Sequence, residues 1–426
     1  MKGQNHHSSE LNQHFSCQMF SQTLACFLCA LYAVAVATSV VARENIKLPL
    51  RRHLNLTGHT IVESDRARAL SLRAGHLHAG TKSSSGARSI ASAVITNTAV
   101  SYTAEVQIGS PAHSYTLLLD TASSFILVGI SSDNPYVKTS TSKDTGQEIS
   151  TSNRLGSFFG EEFLDTVTIG DLTVTDQPIV VVKPSEGSEG VDGILGLGPD
   201  DLTEGSVPGG ESIPTFIDTA FLEDLIPAKV LGISFEPTTS LSAANGELTF
   251  GGVDPTRFTG SIKFVPITST SPSNEFVGID QSLSYAGRNI LTSSGIVDTG
   301  TTLLLIATDA FSTYQAAVGA TLDPITGLLQ ITSEQFADLQ PLIFTIGGQI
   351  FEFTPNAQLW PRALNAAVGG EADGIYLIVN DLGTPSGEGL DFINGMVFLE
   401  RFYTVFDSGT PQFGIATTLF TDATTN

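Results

Sequence analysis

Cysteine is nearly absent from the 426-residue chain: Cys17, Cys26 and Cys29 are all of it, and all three precede residue 43. Everything downstream therefore folds without a disulfide framework and without a thiolate metal site. Bases are scarce too. From residue 93 onward ten Lys and Arg face 39 Asp and Glu, a balance of −29. Such a surface repels a phosphate backbone, which excludes nucleic acid as a partner. His6 and His7 stand in a polar tail with no ligand spacing around them. No metal site and no organic cofactor are implied.

Long apolar runs are limited to one, residues 23–42, "TLACFLCALYAVAVATSVVA". Its length would span a bilayer, but it ends in small residues, with Val40-Val41-Ala42 fitting a signal-peptidase site. Residues 1–42 thus read as a signal peptide, and a start at Met19 would give that signal an ordinary length. Secretion to the extracellular space follows, without stable membrane association. A vacuolar address or a tether through an uncleaved signal is the alternative.

What bases there are cluster early. Nine of them, Arg43, Lys47, Arg51, Arg52, Arg66, Arg68, Arg73, Lys82 and Arg88, lie within residues 43–92. This stretch carries the sequon Asn55-Leu56-Thr57 and ends in the Ser/Gly-rich joint "GTKSSSGARSIAS", residues 80–92. A basic segment before an acidic body reads either as a solvated linker or as a removable prosegment held by charge.

The body is rich in Gly, Val, Ile, Thr and Phe, which favours strands and tight turns. "EEFLDTVTIGDLTVTDQPIVVV" predicts a hairpin turning at Gly170-Asp171, and "GELTFGGVDPTRFTGSIKFVPI" repeats the idiom. Helical patterning is confined to "IPTFIDTAFLEDL" and "ATDAFSTYQAAVGA". The expected class is all-β, in two related lobes: residues 93–260 with Asp120 and residues 261–426 with Asp298.

Those two aspartates carry the chemistry. "LLLDTASS" and "GIVDTGTT" each place Asp-Thr after a buried apolar run, 178 positions apart. If the halves meet about a pseudo-dyad, Asp120 and Asp298 face each other, and two close carboxylates share one proton. One then acts as general base on a water and the other as general acid toward a carbonyl oxygen. On this reading the Thr121 and Thr299 hydroxyls bond across the seam. Ser123 and Thr301 bond the outer carboxylate oxygens, and the small residues Ala122 and Gly300 let backbone N–H groups approach. An ordinary strand-end turn explains one copy of Asp-Thr but not two in the same setting.

With "YTAEVQIGSP", "VDGILGLGPDDL", "GELTFGGVDPTRFTG" and "DFINGMVFLERFYTVFD", these motifs resemble the pepsin-type aspartic proteases. Within them the chain is most similar to the secreted basidiomycete polyporopepsin-like group, over roughly residues 90–420. The resemblance implies a bilobal fold, an acidic aspartic endopeptidase, and a monomer. It implies a cleft for polypeptides with apolar side chains at the scissile bond. Ile194-Leu195-Gly196 and Phe392-Ile393-Asn394-Gly395 fit the segment each lobe pairs with its Asp motif. The basic prosegment becomes an intramolecular inhibitor, with Lys82 and Arg88 as candidates for the base that neutralises the dyad.

The chain departs from the family at four positions. Ala122 replaces Gly, Phe125 and Leu127 replace Asn and Trp, and Asn153 stands where the flap tyrosine is expected, ahead of Gly156, Ser157 and Phe158 in a flap near residues 153–160. These changes motivate a competing reading, a pseudopeptidase that binds peptides in the same cleft without cleaving them. Phe125, Leu127 and Phe159 read either as cleft residues or as core and tip residues.

Overall fold

The computed structural model describes residues 46–54, 60–78, 100–153, 156–183, 191–204, 206 and 212–425. Residues 1–42, expected to be a signal, the sequon and the joint at residues 80–92 lie outside them. No helix of the described residues is long and apolar enough to cross a membrane.

Strands dominate, as the composition requires. β1 (Ile46–Leu54) and the helix α1 (Ile61–His78) come from the basic segment. β2 (Val100–Ile108) and β3 (His113–Asp120) then form an antiparallel pair that delivers the first aspartate. β4 (Ile126–Val128) follows the Asp loop. β5 (Lys143–Asn153) and β6 (Gly156–Ile169) form the long hairpin at the flap, closed by the Asn153–Gly156 pair. β6 turns at Gly170-Asp171 into β7 (Leu172–Val182), the expected hairpin. β8 (Gly193–Gly196) carries the Ile194-Leu195-Gly196 segment.

β8 lies between the two strands that flank the Asp120 loop. It runs parallel to β3, with Asp120 opposite Gly196, and antiparallel to β4, with Leu127 opposite Ile194. The second half repeats this. β9 (Val230–Phe235), β10 (Ser242–Phe250) and β11 (Thr259–Pro266) precede β12 (Gly278–Tyr285) and β13 (Arg288–Val297), which pair antiparallel before Asp298. β14 (Leu304–Ile306) follows the loop, and Phe392–Asn394 runs parallel to β13 and antiparallel to β14. A Cβ on Gly395, which follows that strand, would fall 2.2 Å from the Leu303 carbonyl oxygen, so only glycine lets the chain pass there.

A thirteen-stranded sheet joins the first lobe to a layer made of β11, Gln412–Thr417, Phe402–Asp407, β9, β10 and β1, in that order. Seven strands, including β12, β13 and β14, make the second lobe's sheet. The residue 260/261 division falls inside β11. The repeated hairpin idiom does not give a second hairpin. β10 pairs with β9 and β1, whereas β11 pairs with Gln412–Thr417.

Both expected helices form, as α2 (Phe216–Leu222) and α3 (Thr308–Val318). α2 starts on a capping box between Thr215 and Asp218. α1 is an addition that was not expected. Thr60 and Glu63 cap it reciprocally: the Thr60 N–H donates to Glu63 Oε2 at 2.9 Å and the Glu63 N–H to Thr60 Oγ1 at 3.2 Å. Its buried face runs Ile61, Val62, Asp65, Arg68, Ala69 and Leu72, a helical stripe with two charges in the middle.

Candidate active site

Each aspartate ends a buried strand at the seam between the lobes, and both Asp120 and Asp298 have 0% exposure. The two loops are locked to each other reciprocally. The Thr121 N–H donates to Thr299 Oγ1 at 3.1 Å, and the Thr299 N–H donates to Thr121 Oγ1 at 3.0 Å. The hydroxyls thus meet the opposite backbone rather than each other.

Inside each loop the small residue does what the sequence implies. The Ala122 N–H donates to Asp120 Oδ1 and the Gly300 N–H to Asp298 Oδ1, each at 2.9 Å. Ala122 is not among the non-glycine residues at positive φ, so its Cβ costs no backbone strain. The outer oxygens differ. Thr301 Oγ1 donates to Asp298 Oδ2 at 2.6 Å, whereas Ser123 Oγ is buried and makes no hydrogen bond among the described residues.

A guanidinium fills the space between the carboxylates, and it belongs to Arg68. Arg68 lies side-on to Asp298, with Nε to Oδ2 at 2.7 Å and Nη2 to Oδ1 at 2.9 Å. It lies end-on to Asp120, with Nη2 to Oδ1 at 2.6 Å and Nη1 to Oδ2 at 3.4 Å. The pairing is bidentate on both sides, the geometry that a planar fork permits and an ammonium does not. Gly300 makes room for it: a Cβ there would lie 2.4 Å from Arg68 Nη2.

Electrostatics follow from that contact. Burial alone would raise the Asp298 carboxyl. The charge and hydrogen bonds of Arg68, with those of Thr301 and Gly300, outweigh it and hold Asp298 below the usual carboxylate range. Burial likewise works against the Arg68 cation, but the two aspartates raise it further above its ordinary value. Neither member is discharged at neutral pH.

The resemblance points to Lys82 or Arg88 for a base at the dyad, and both fall outside the described residues; the base that contacts both carboxylates among the described residues is Arg68. Other bases of the same segment also meet acids of the body. Arg66 binds Asp381 through its carbonyl and carboxylate oxygens, each at 2.8 Å. Arg73 pairs with Glu388 at 3.0 Å, and Lys47 with Asp254 and Glu247.

The flap residues separate into described and undescribed parts. The backbones of Asn153, Gly156 and Ser157 belong to the β5–β6 hairpin; Arg154 and Leu155 lie outside the described residues. Phe158 is 6% exposed and Phe159 is 61% exposed. Phe125 and Leu127 are buried with Phe158, Leu118, Ile149 and Ile194 in an apolar cluster of the first lobe. They are core residues here, and Leu127, with no exposed surface, cannot touch a ligand in this state.

Residues 101–418 match the family of eukaryotic aspartyl proteases. The chain is 55% identical over 335 residues to polyporopepsin of Irpex lacteus, covering 78% of this chain and 98% of that protein. It is 31% identical over 332 residues to rhizopuspepsin-1 of Rhizopus niveus, covering 74% of this chain and 79% of that protein. The crystal structure of the aspartic proteinase from Irpex lacteus matches with a TM-score of 0.75 at 47% identity, covering 90% of this chain and 100% of that one. The chain belongs to the eukaryotic aspartyl protease family, with its pepsin-like bilobal fold, and is an aspartic endopeptidase.

Proposed function

We propose that Asp120 and Asp298 are the catalytic pair, and that the basic segment bearing α1 holds them inactive until acid and proteolysis remove it. The carrying observation is the Arg68 guanidinium, bidentate on both buried carboxylates where substrate and water would have to sit. With Arg68 gone, two adjacent carboxylates in a buried site share one proton. The ionised one takes a proton from water as the oxygen attacks the peptide carbonyl carbon. The protonated one gives its proton to the carbonyl oxygen, and the tetrahedral diol then collapses with a proton passing to the leaving amine. Thr121, Thr299, Ala122, Gly300 and Thr301 hold the carboxylates in place through the bonds described above.

The same reading makes residues 1–42 a signal and residues 43–92 the prosegment, and makes the product a secreted monomer acting on extended polypeptides at acidic pH. The acidic body suits that medium, because protonation reduces its self-repulsion. The competing pseudopeptidase rests on Ala122, Leu127 and Asn153. Ala122 supplies the same N–H at the same 2.9 Å as Gly300, which weakens that one of its three motives.

The deciding experiment is digestion of denatured haemoglobin or casein across acidic pH by protein expressed from Met19. Pepstatin and Asp298→Asn serve as controls. Cleavage abolished by both supports the assignment. A folded, fully processed protein that binds peptides without cutting them would replace it with the pseudopeptidase.

A further inference from the structure

One turn before Arg68, on the same buried face of α1, stands a carboxylate that the dyad chemistry does not use. Asp65 is 3% exposed. The Thr302 N–H donates to both its oxygens at 3.1 Å, and the Leu303 N–H donates to Oδ2 at 2.7 Å. Both amides belong to the chain leaving the Asp298 motif toward β14.

We infer that this N–H pair is a carboxylate-binding site beside the dyad, and that ionised Asp65 is a second anchor of α1, released by acid. The inference rests on the reading of α1 as a removable inhibitor. A carboxylate is a pure acceptor and suits two converging donors; protonation discharges it and turns one oxygen into a donor aimed at donors. The ionisable groups on the surrounding elements are few. Besides Asp65, α1 itself carries Glu63, Arg66, Arg68, Arg73, His76 and His78, and the Asp loop carries Asp298. Strand 379–381 offers Asp381, and the 323–328 loop against Val62 offers Asp323. Arg68 is committed to the dyad and Arg66 to Asp381. The two backbone N–H groups bond the Asp65 carboxylate directly and favour its anion. The anchor holds while Asp65 is ionised and weakens as acid protonates it. Part of the acid threshold is thus set by the prosegment itself, rather than by the carboxylates of the body alone.

The test uses the full-length precursor with Asp65→Asn, which keeps the shape and one acceptor but loses the charge. Its conversion curve should shift toward neutral pH, with conversion at the parent's midpoint faster by about tenfold, the difference between a charge-assisted and a neutral hydrogen bond. Asp65→Glu should stay near the parent. Once processed, all three proteins should share one kcat/KM and one pH profile, because α1 has left.

A second arm needs no catalysis. In Asp298→Asn precursors, hydrogen exchange over residues 299–305 should be faster with Asn at position 65. In the parent precursor, protection of the 302–303 amides, corrected for intrinsic exchange, should fall with acid along a one-proton curve. Unchanged conversion and exchange in Asp65→Asn, or flat protection in the parent, would overturn the anchor. Failure of the processed enzyme to cleave would instead overturn the proposed function while leaving the exchange result standing.

Discussion

Replacing Arg68 by Gln removes the cation between two fully buried carboxylates and leaves both facing each other. Breaking a buried ion pair from one side typically costs ~3–5 kcal/mol, and the site recovers part of that by binding a proton. Taking ~3 kcal/mol as the loss in docking of α1, the undocked population rises roughly a hundredfold. The sign of the pH dependence is fixed by Asp298. Its pKa in the folded precursor is lowered, so the stability it draws from Arg68 is present above the ordinary Asp range and lost as pH falls through the folded value. The gap between parent and variant is therefore widest near neutrality and closes in acid. Two assays read it: conversion of full-length precursor on gels at about pH 6, and thermal unfolding of both proteins in the Asp298→Ala background as a control that removes the side-on half of the contact. Arg68→Gln should convert near pH 6 roughly a hundredfold faster than the parent, and Arg68→Lys should lie between them because a point charge cannot bridge bidentately on both sides. The reasoning fails if the Gln precursor keeps the parent's acid threshold, or if the gap is as large in strong acid as at neutrality.

Gly300→Ala puts a Cβ 2.4 Å from Arg68 Nη2 and 3.0 Å from Asp120 Oδ1, so the guanidinium must leave its seat. The precursor should convert at higher pH than the parent on the same gels. Thr301→Val removes the 2.6 Å hydroxyl bond to Asp298 Oδ2 and should raise the acid limb of the kcat/KM profile by about one pH unit, whereas Ser123→Ala, which removes no bond seen in this state, should leave the precursor's melting temperature unchanged. Asp254 offers a separate test at β1. Burial would raise it, but Lys47 and Thr256 lower it from 3.8 to about 2, so its contribution is present above that ordinary value and lost as pH falls toward 2. Lys47→Met should lower the precursor's melting temperature near neutrality and converge with the parent in strong acid.

The site was legible because its parts are local and doubled. An Asp-Thr after a buried run reports its own loop, and the second copy reports the partner. The apolar-apolar-Gly segments are equally local, and β8 and Phe392–Asn394 take up equivalent places beside the two loops. Pairing partners were less legible. Alternation in "GELTFGGVDPTRFTGSIKFVPI" identifies two strands but not their neighbours, and both neighbours of β10, β9 and β1, are elements other than β11. Phe125 and Leu127 could not be assigned from the motif alone. Their burial is decided by β4 lying between β8 and β7. The choice of Arg68 over Lys82 or Arg88 was out of reach for the same reason, since the docking of α1 is tertiary. Yet its signals were present: Thr60 and Glu63 form a capping box, and Asp65 and Arg68 interrupt an otherwise apolar stripe. Two charges in the buried face of a helix call for partners, and here both partners lie at the Asp298 loop and its mate.

The asymmetry of the two motifs has a physical origin in how α1 approaches. Both loops need an N–H two residues past the aspartate, and any residue but proline supplies it. What differs is the space above that N–H. At position 300 it is taken by the guanidinium, which turns its Nε–Nη2 edge to Asp298 and so lies over the Gly300 Cα. At position 122 the methyl group packs into the main apolar core, 7% exposed, while Asp120 is met by the Nη1–Nη2 end from the other side. A β-carbon is thus affordable in the first motif and excluded from the second for as long as Arg68 must fit. The Ala122 methyl thus sits clear of the guanidinium, whereas a methyl at position 300 would stand where Arg68 binds Asp298.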